Sequence, residues 1–422
     1  MFQVVSRSWA LLIGMMLLMV GNGLQGTLLG VRGGIEGFST FEMSIVMSAY
    51  FAGFLGGSRL APEMIRRVGH VRVFAALASF ISAILILYPA FAHPVAWALG
   101  RVVIGFCFSG VYVTAESWLN NSSDNANRGK ALSVYMIVQM FGIVSAQALL
   151  AMGDASGYAL FILSSVLVSI SFAPILLSIS PTPAFETAKP MPLRTLLETS
   201  PLGCFGMFLL GGVFSAQFGM SAVYGVAAGL TIAQISIFVS SIYVGALLLQ
   251  YPIGWFSDRM DRRVVIMIVA AAGGIFSLLA LFFDYYFGAL LVAAFVIGGT
   301  SNPLYSLLIA YTNDYLDPDD MAAASGGLIF INGMGAIAGP LVTGWMMDSF
   351  GAQAFFGMIA LLMLILAGYA VYRMTQRSRA GIEDGSSAPV LPSASPGAVE
   401  VLLTLISRPL WKMERMKHLV TF

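Results

Sequence analysis

Charge is scarce in this chain. Of 422 residues, 20 are Asp or Glu and 21 are Lys or Arg, for a formal net charge of +1. Soluble domains are charged at about a quarter of their residues, so a water-facing surface over most of the chain is excluded. A balance so near neutral also points away from nucleic acid as a partner. Histidine and cysteine are almost missing. His70, His93 and His418 are scattered, and Cys107 and Cys204 lie far apart in apolar segments. That spacing builds neither a disulfide framework nor a zinc site. The sequence has no G-x-x-x-x-G-K-[ST] loop and no Ser-His-Asp or Cys-His constellation. Nothing in it suggests an enzyme, a nucleotide-driven pump, a metal or a cofactor.

Apolar residues, by contrast, make up 58% of the chain. A helix needs about 20 of them in a row to cross the hydrocarbon of a bilayer. Twelve such runs stand out, at 8–31, 41–61, 71–92, 95–118, 130–152, 157–180, 202–224, 231–256, 264–283, 287–312, 322–347 and 352–374. The first is too long for a cleavable signal and lacks a small-residue cleavage site, so it reads as a retained span. The expectation is an all-α integral membrane protein embedded in a lipid bilayer. The longest internal linker is SPTPAFETAKPMPLRTLLETSP (Ser180–Pro201), polar and proline-rich, with six runs on either side. It divides the chain into a six-helix bundle (1–180), a linker (181–201), a second bundle (202–378) and a tail (379–422). The tail opens as a flexible Ser/Pro/Gly segment. Its end carries Arg408, Lys412, Arg415 and Lys417 among apolar residues. An amphipathic surface helix, broken by Pro409, and a disordered tail are both open there.

The basic residues take sides. Loops after spans 2, 4, 6 and 8 hold eleven of them, and loops after odd-numbered spans hold only Arg32. By the positive-inside rule both termini and the even loops face the cytoplasm. The densest patch is GWFSDRMDRR (Gly254–Arg263), in which five of the six residues from Asp258 to Arg263 are ionised. It lies where span 8 ends. Charges there stay solvated, and polar contacts there can break and re-form as a gate moves. Gly254 would let helices approach closely. Asp258 would serve a neighbouring helix N-terminus. Arg259, Arg262 and Arg263 would pair across to the other half or hold lipid phosphates. A shorter version, RRVGHVRV (Arg66–Val73), follows span 2 at an offset of about 192 residues, and two such halves are a transporter architecture with a site at their midplane interface.

These stretches resemble the signature of the major facilitator superfamily, Gly-x-Leu-Ala-Asp-Arg-x-Gly-Arg-Arg/Lys. The second-half copy matches at Gly254, Asp258, Arg259, Arg262 and Arg263, with Asp261 in place of the inner glycine. The first-half copy keeps Arg67, Gly69 and Arg72 but has Arg66 where an aspartate belongs, and Glu63 stands one turn earlier as a substitute. In span 4, GRVVIG keeps the family's Arg-x-x-x-Gly at Arg101 and Gly105. GNGLQGTLLGVR, AESWLN and NPLYSLLIAYTNDYL look like the YcaD-like branch of bacterial inner-membrane carriers. The family's antiporter Gly-Pro pattern is missing from span 5, which weakens a drug–proton antiporter. The similar GMGAIAGPLVTG of span 11 reads as a close-packed hinge.

Within the spans, Arg101, Gly105, Phe108, Tyr112 and Glu116 follow helical steps along one stripe. A cation at membrane depth defaults to a functional role. Arg101 either binds an anionic solute group or tunes a proton-carrying acid, with structural hydrogen bonding as the alternative. Glu116 is the acid best embedded in an apolar run. It suits proton coupling, or pairing with a cytoplasmic base such as Arg128. Asn22 and Gln25 share a face of span 1; Tyr135 and Gln139 share one in span 5. Pro303 is expected to break span 10 and expose carbonyls. The resemblance implies that spans 1, 4, 7 and 10 line the cavity. The expected pathway is therefore Asn22, Gln25, Arg101, Tyr112, Gln139, Gln217, Asn302 and Tyr305. It also implies secondary transport of a small-molecule solute by alternating access, proton-coupled by default, by a monomer in the bacterial cytoplasmic membrane. Efflux of an amphipath and carriage of a small anion compete. A membrane sensor or scaffold that no longer transports is the alternative of a different class.

Overall fold

The computed structural model describes residues 2–122, 128–177, 191–283, 286–317 and 320–376. Among them all regular structure is helical. The first half runs α1 (Phe2–Ile35), α2 (Thr40–Val68), α3 (His70–Ala90), α4 (Pro94–Ser122), α5 (Arg128–Met152), α6 (Ala159–Ser171) and α7 (Ala173–Leu177). Pro174 separates the last two, since it lacks an N–H and crowds the preceding turn. The described end of the central linker forms α8 (Leu193–Thr199). The second half runs α9 (Pro201–Ser215), a π-helical turn (Ala216–Met220), α10 (Ser221–Ala227), α11 (Ile232–Ser257), α12 (Arg262–Phe282), α13 (Phe287–Asn313), α14 (Met321–Phe350) and α15 (Ala354–Gln376). Each of the twelve apolar runs is mainly helical over its described residues. The tail from residue 377 lies outside the described residues.

Eleven helices among the described residues are long and apolar enough to cross a membrane by length and composition. Of the twelve apolar runs, the one outside that set is α2, whose buried face mixes Ser44, Ser48, Gly53 and Gly57 with Met43, Val46 and Met47. That face is wedged between α4 and α14, not turned to lipid.

The two halves repeat one plan. Within the first, α2 packs on α4, α1 on α5 and α6, and α3 on α4 and α6. Within the second, α11 packs on α13, α9 on α14 and α15, and α12 on α13 and α15. The repeat reaches single residues at an offset of about 192. Capping boxes Ser39/Glu42 and Thr231/Gln234 start α2 and α11. Gly53 and Gly105 bring α2 and α4 into backbone contact, where a Cβ would strike the carbonyls of Val102 and Tyr50. Gly245 and Gly298 do the same for α11 and α13 against Phe295 and Ile242. Small residues make such approach possible where lipid gives no hydrophobic drive between helices.

The halves meet along α2–α14 and α5–α11, and along α1 against the π turn and α10. Ser48 Oγ donates to the carbonyl of Ile337 at 2.6 Å. The small-residue face of α14 is close-packed, as its sequence predicts: Gly335 abuts Phe208, and Gly339 abuts Gly212 and Ser215. Pro303, by contrast, does not break its helix. α13 continues through it, gripped by α11, α12 and α9.

Candidate functional site

Between the halves lies a cavity of about 240 Å³, walled by α1, α2, α4 and α5 on one side and by α9 to α11, α13 and α14 on the other. Seven of the eight pathway residues expected from sequence line it: Asn22, Gln25, Arg101, Tyr112, Gln217, Asn302 and Tyr305. Gln139 does not. It is 1% exposed on α5, with no acceptor or donor found for its amide among the described residues. Its step from Tyr135 follows α5, but that face turns into the bundle.

The repeat also shapes the cavity. Gln25 and Gln217 stand at equivalent positions, and so do Tyr112 and Tyr305. Arg101 has no such twin, because its equivalent is the buried Ala294. Arg101 is the one charged side chain lining the cavity among the described residues. A neutral, symmetric scaffold thus carries a single, one-sided positive charge.

That charge is held by weak partners. Arg101 is 3% exposed. Its Nη1 donates to Gln25 Oε1 at 3.0 Å, and its Nη2 reaches only the thioether of Met47 at 3.4 Å. The guanidinium lies over the Tyr50 ring, 4.6 Å from the centroid. Nε has no acceptor among the described residues, and no ion pair to Arg101 is found there. Gln25 is itself oriented: its Nε2 donates to Asn22 Oδ1 (3.2 Å), Asn22 Nδ2 to the Tyr112 hydroxyl (3.3 Å), and that hydroxyl to Met19 Sδ (3.2 Å). Every donor in this relay points the same way, so each bond polarises the next.

The facing wall is aromatic. Phe218 and Tyr243 stack at 5.2 Å with 27° between their planes, and Tyr305 lies 6.0 Å from Phe214. Gln217 accepts from Ser301 Oγ at 3.0 Å, while its Nε2 has no acceptor among the described residues. Gln217 and Phe218 stand on the π turn, whose extra residue re-aims side chains and is common at functional sites. Periodicity of 3.6 could not reveal it. Sequence reasoning also missed Tyr50, Phe51 and Phe54 on α2 and Asn332 on α14, since spans 2 and 11 were not expected to line the cavity. Phe51 and Phe54 are three apart in an aromatic run, which was the available signal.

Glu116 is fully buried. Its carboxyl lies within electrostatic reach of Tyr112 on its own helix, Tyr135 on α5 and Tyr305 on α13. It thus lies within electrostatic reach of tyrosines of both halves, and Tyr112 is also the far member of the relay that starts at Arg101. The side chain of Arg128 lies outside the described residues.

At the far end of α2 and α11 the charged clusters stay within their own halves. Glu63 takes hydrogen bonds from Arg66 (2.7 Å) and Arg67 (2.6 Å). These bonds, that of Arg66 foremost, hold its carboxyl down at about 2. Gly69 turns the chain into α3 at φ +82°, and Arg72 is exposed. In the second half, Arg262 pairs with Asp314 and Arg263 with Asp261. Arg259 folds back over Trp255, 3.9 Å from its ring centroid, and donates to the Trp255 carbonyl. Among the described residues none of these ion pairs crosses between the halves, contrary to expectation. The acid at the helix N-terminus is Asp261, not Asp258. Asp261 is extended (φ −60°, ψ 118°) directly before α12 and accepts from the Arg263 amide, whereas Asp258 ends α11 and is exposed. Gly254 makes no close helix contact, since a Cβ there would meet nothing within 4 Å. The cation that does cross is Arg59, 4.1 Å from the Phe330 ring centroid on α14. Arg32, the lone base of the odd loops, is 9% exposed. It pairs with Glu36 and donates to the carbonyls of Ala155 and Ser156.

This architecture has known counterparts. The chain matches the family model described as Major Facilitator Superfamily over residues 11–231 and 202–421. It is 27% identical over 356 residues to an MFS-type transporter, YcaD, of Escherichia coli O45:K1 (strain S88 / ExPEC), covering 83% of this chain and 91% of that one. The YcaD of Escherichia coli O9:H4 (strain HS) matches to the same extent. In fold it is similar to the nucleoside transporter NupG, with a TM-score of 0.76 at 16% identity over 87% of this chain and 100% of that one. It is also similar to a bacterial homolog of the human lysosomal transporter Spinster in an inward-facing conformation. There the TM-score is 0.66 at 13% identity, covering 96% and 97%. Two repeated helical bundles around a central cavity, and a family match over both halves, make this chain a multi-pass membrane transporter of the Major Facilitator Superfamily.

Proposed function

We propose that this protein is a proton-coupled secondary carrier of a small solute, working as a monomer by alternating access in the bacterial cytoplasmic membrane. Both termini face the cytoplasm, as the basic loops require. The observation that carries the reading is the cavity itself: it sits between two repeated halves and is lined by one unpaired buried cation and several amides. A purely structural interface has no use for such a lining, because an uncompensated buried charge is costly. Contacts between the halves gather at the α1–α2 end, where Gly34 meets Val226 and Gly344 meets Ser44. The ionic clusters at the opposite end hold within their own halves. This is the pattern of a carrier closed outside and open to the cytoplasm. Glu116, buried among tyrosines of both halves, is the proton site.

The test needs no substrate. Spin labels at Val68 and Met260 report the cytoplasmic end, and labels at Ile35 and Ala228 the opposite one; all four positions are exposed. The background replaces Cys107 and Cys204 with alanine. A carrier gives two distance populations at each end that change in opposite senses with pH. A single fixed distance at both ends contradicts the reading and favours a sensor or scaffold.

A further inference from the structure

The unpaired edge of Arg101 and the aromatic wall opposite it define a class of solute. A guanidinium presents its donors in a planar fork. Nη1 is committed to Gln25. The remaining side edge is Nε with Nη2, and it has no acceptor at one nitrogen and only a thioether at the other. That edge matches a carboxylate in bidentate geometry. Among the described residues no carboxylate pairs with Arg101 and its Nε finds no acceptor. The relay through Gln25, Asn22 and Tyr112 engages Nη1 and supplies no acceptor to the Nε–Nη2 edge, which is buried in the cavity wall.

The cavity's other resource is flat apolar surface. Phe218 and Tyr243 form a stacked platform. Tyr243 lies within electrostatic reach of Tyr50, the ring that carries Arg101. Cation and platform therefore belong to one small chamber. At about 240 Å³ it falls below the ~300–1,000 Å³ that encloses drug-sized ligands. That argues against a bulky amphipath and for a solute of one or two rings.

We propose that the carried solute is an aromatic organic monoanion, its carboxylate seated on the Nε–Nη2 edge of Arg101 and its ring lying against the Phe218–Tyr243 platform. This rests on the carrier reading and narrows it. Anion and ring are recognised by different halves, α4 in the first and the π turn with α11 in the second, so a solute of this shape bridges them. An anion without a ring touches one half only, and so does a ring without charge.

The experiment compares matched solutes on the purified full-length protein in nanodiscs, by thermal shift and calorimetry. The probes are 1-naphthoate, its neutral amide 1-naphthamide, and the non-aromatic cyclohexanecarboxylate. The proposal expects naphthoate to bind at least about tenfold more tightly than either of the others. Arg101→Gln removes the preference for acid over amide, and Arg101→Lys, which keeps the charge but not the fork, restores part of it. Tyr243→Leu weakens naphthoate and leaves cyclohexanecarboxylate unchanged. Equal binding of acid and amide to wild type overturns the anion half of the proposal, whether or not the Arg101 variants fold. Equal binding of the two acids, or indifference to Tyr243→Leu, overturns the aromatic half. No binding by any probe overturns the class as a whole. In each of these failures the spin-label distances still decide separately whether the protein is a carrier.

Discussion

At the scale of single residues, the cavity is a problem of one charge and its neighbours. Among the described residues Gln25 supplies the only side-chain oxygen that Arg101 reaches. Gln25→Leu keeps the volume but strands a buried donor, which costs about 1–3 kcal/mol. A lowered melting temperature in detergent, with Gln25→Glu less affected than Gln25→Leu, is the expected outcome. Glu116 makes a separate prediction. Glu116→Gln abolishes solute accumulation driven by a pH gradient in proteoliposomes yet retains solute exchange at equilibrium; unimpaired accumulation removes Glu116 from the coupling step. Outside the membrane, Glu63 is held near 2 by Arg66 and then Arg67. A depressed carboxyl contributes above its ordinary value of 4.5 and loses that contribution as pH falls through about 2. Carbon-13 titration of the Glu63 carboxyl is expected to show a midpoint near 2, rising on Arg66→Ala. Arg101 was legible in the sequence because a cation inside an apolar run has few innocent explanations. Its unpaired Nε edge was not, since the position of partners on two other helices is a tertiary fact.

At the scale of helices, periodicity and composition marked all twelve spans, and the structure moves most of their ends by a few residues. What they could not mark is how a helix deviates from ideality. Pro303 suggested a break that packing suppresses, whereas the π turn at Ala216–Met220 carries no proline at all. The crossing glycines give the sharpest expectation here. Gly105→Val places side-chain atoms against the Tyr50 backbone, where nothing flexible can yield. It is expected to abolish folded protein on size-exclusion chromatography, like other severe overpacking. Gly254→Ala, in open space, changes stability by less than about 0.5 kcal/mol. If Gly254→Ala nonetheless slows transport, the room beside it is used in the other conformation, where the cytoplasmic ends meet.

For the whole molecule, the repeat explains both what was visible and what was hidden. An offset of about 192 residues aligned two charged turns in the sequence, and that was enough to foresee two bundles. The same offset pairs Gln25 with Gln217 and Tyr112 with Tyr305, while Arg101 faces Ala294. Function has been laid on a symmetric frame by breaking its symmetry once, at a charge. The signature clusters were expected to pair across the halves or hold lipid phosphates, and among the described residues their ion pairs stay within each half. They close on themselves because each half supplies its own acid, Glu63 in one and Asp261 and Asp314 in the other. Such pairing leaves the halves free to part at that end while α2 and α14 remain in contact.

The central claim is that the cavity opens to each side of the membrane in turn. Gly26 lines it, and a Cβ there meets nothing within 4 Å, so a Gly26→Cys variant on the Cys107→Ala, Cys204→Ala background places a thiol in the chamber without crowding it. Membrane-impermeant maleimide would be applied to right-side-out and to inverted vesicles. The account predicts labelling from both sides, faster in inverted vesicles, and slowed from both by a bound solute. Labelling from one side only, unchanged across pH and added solute, would contradict it.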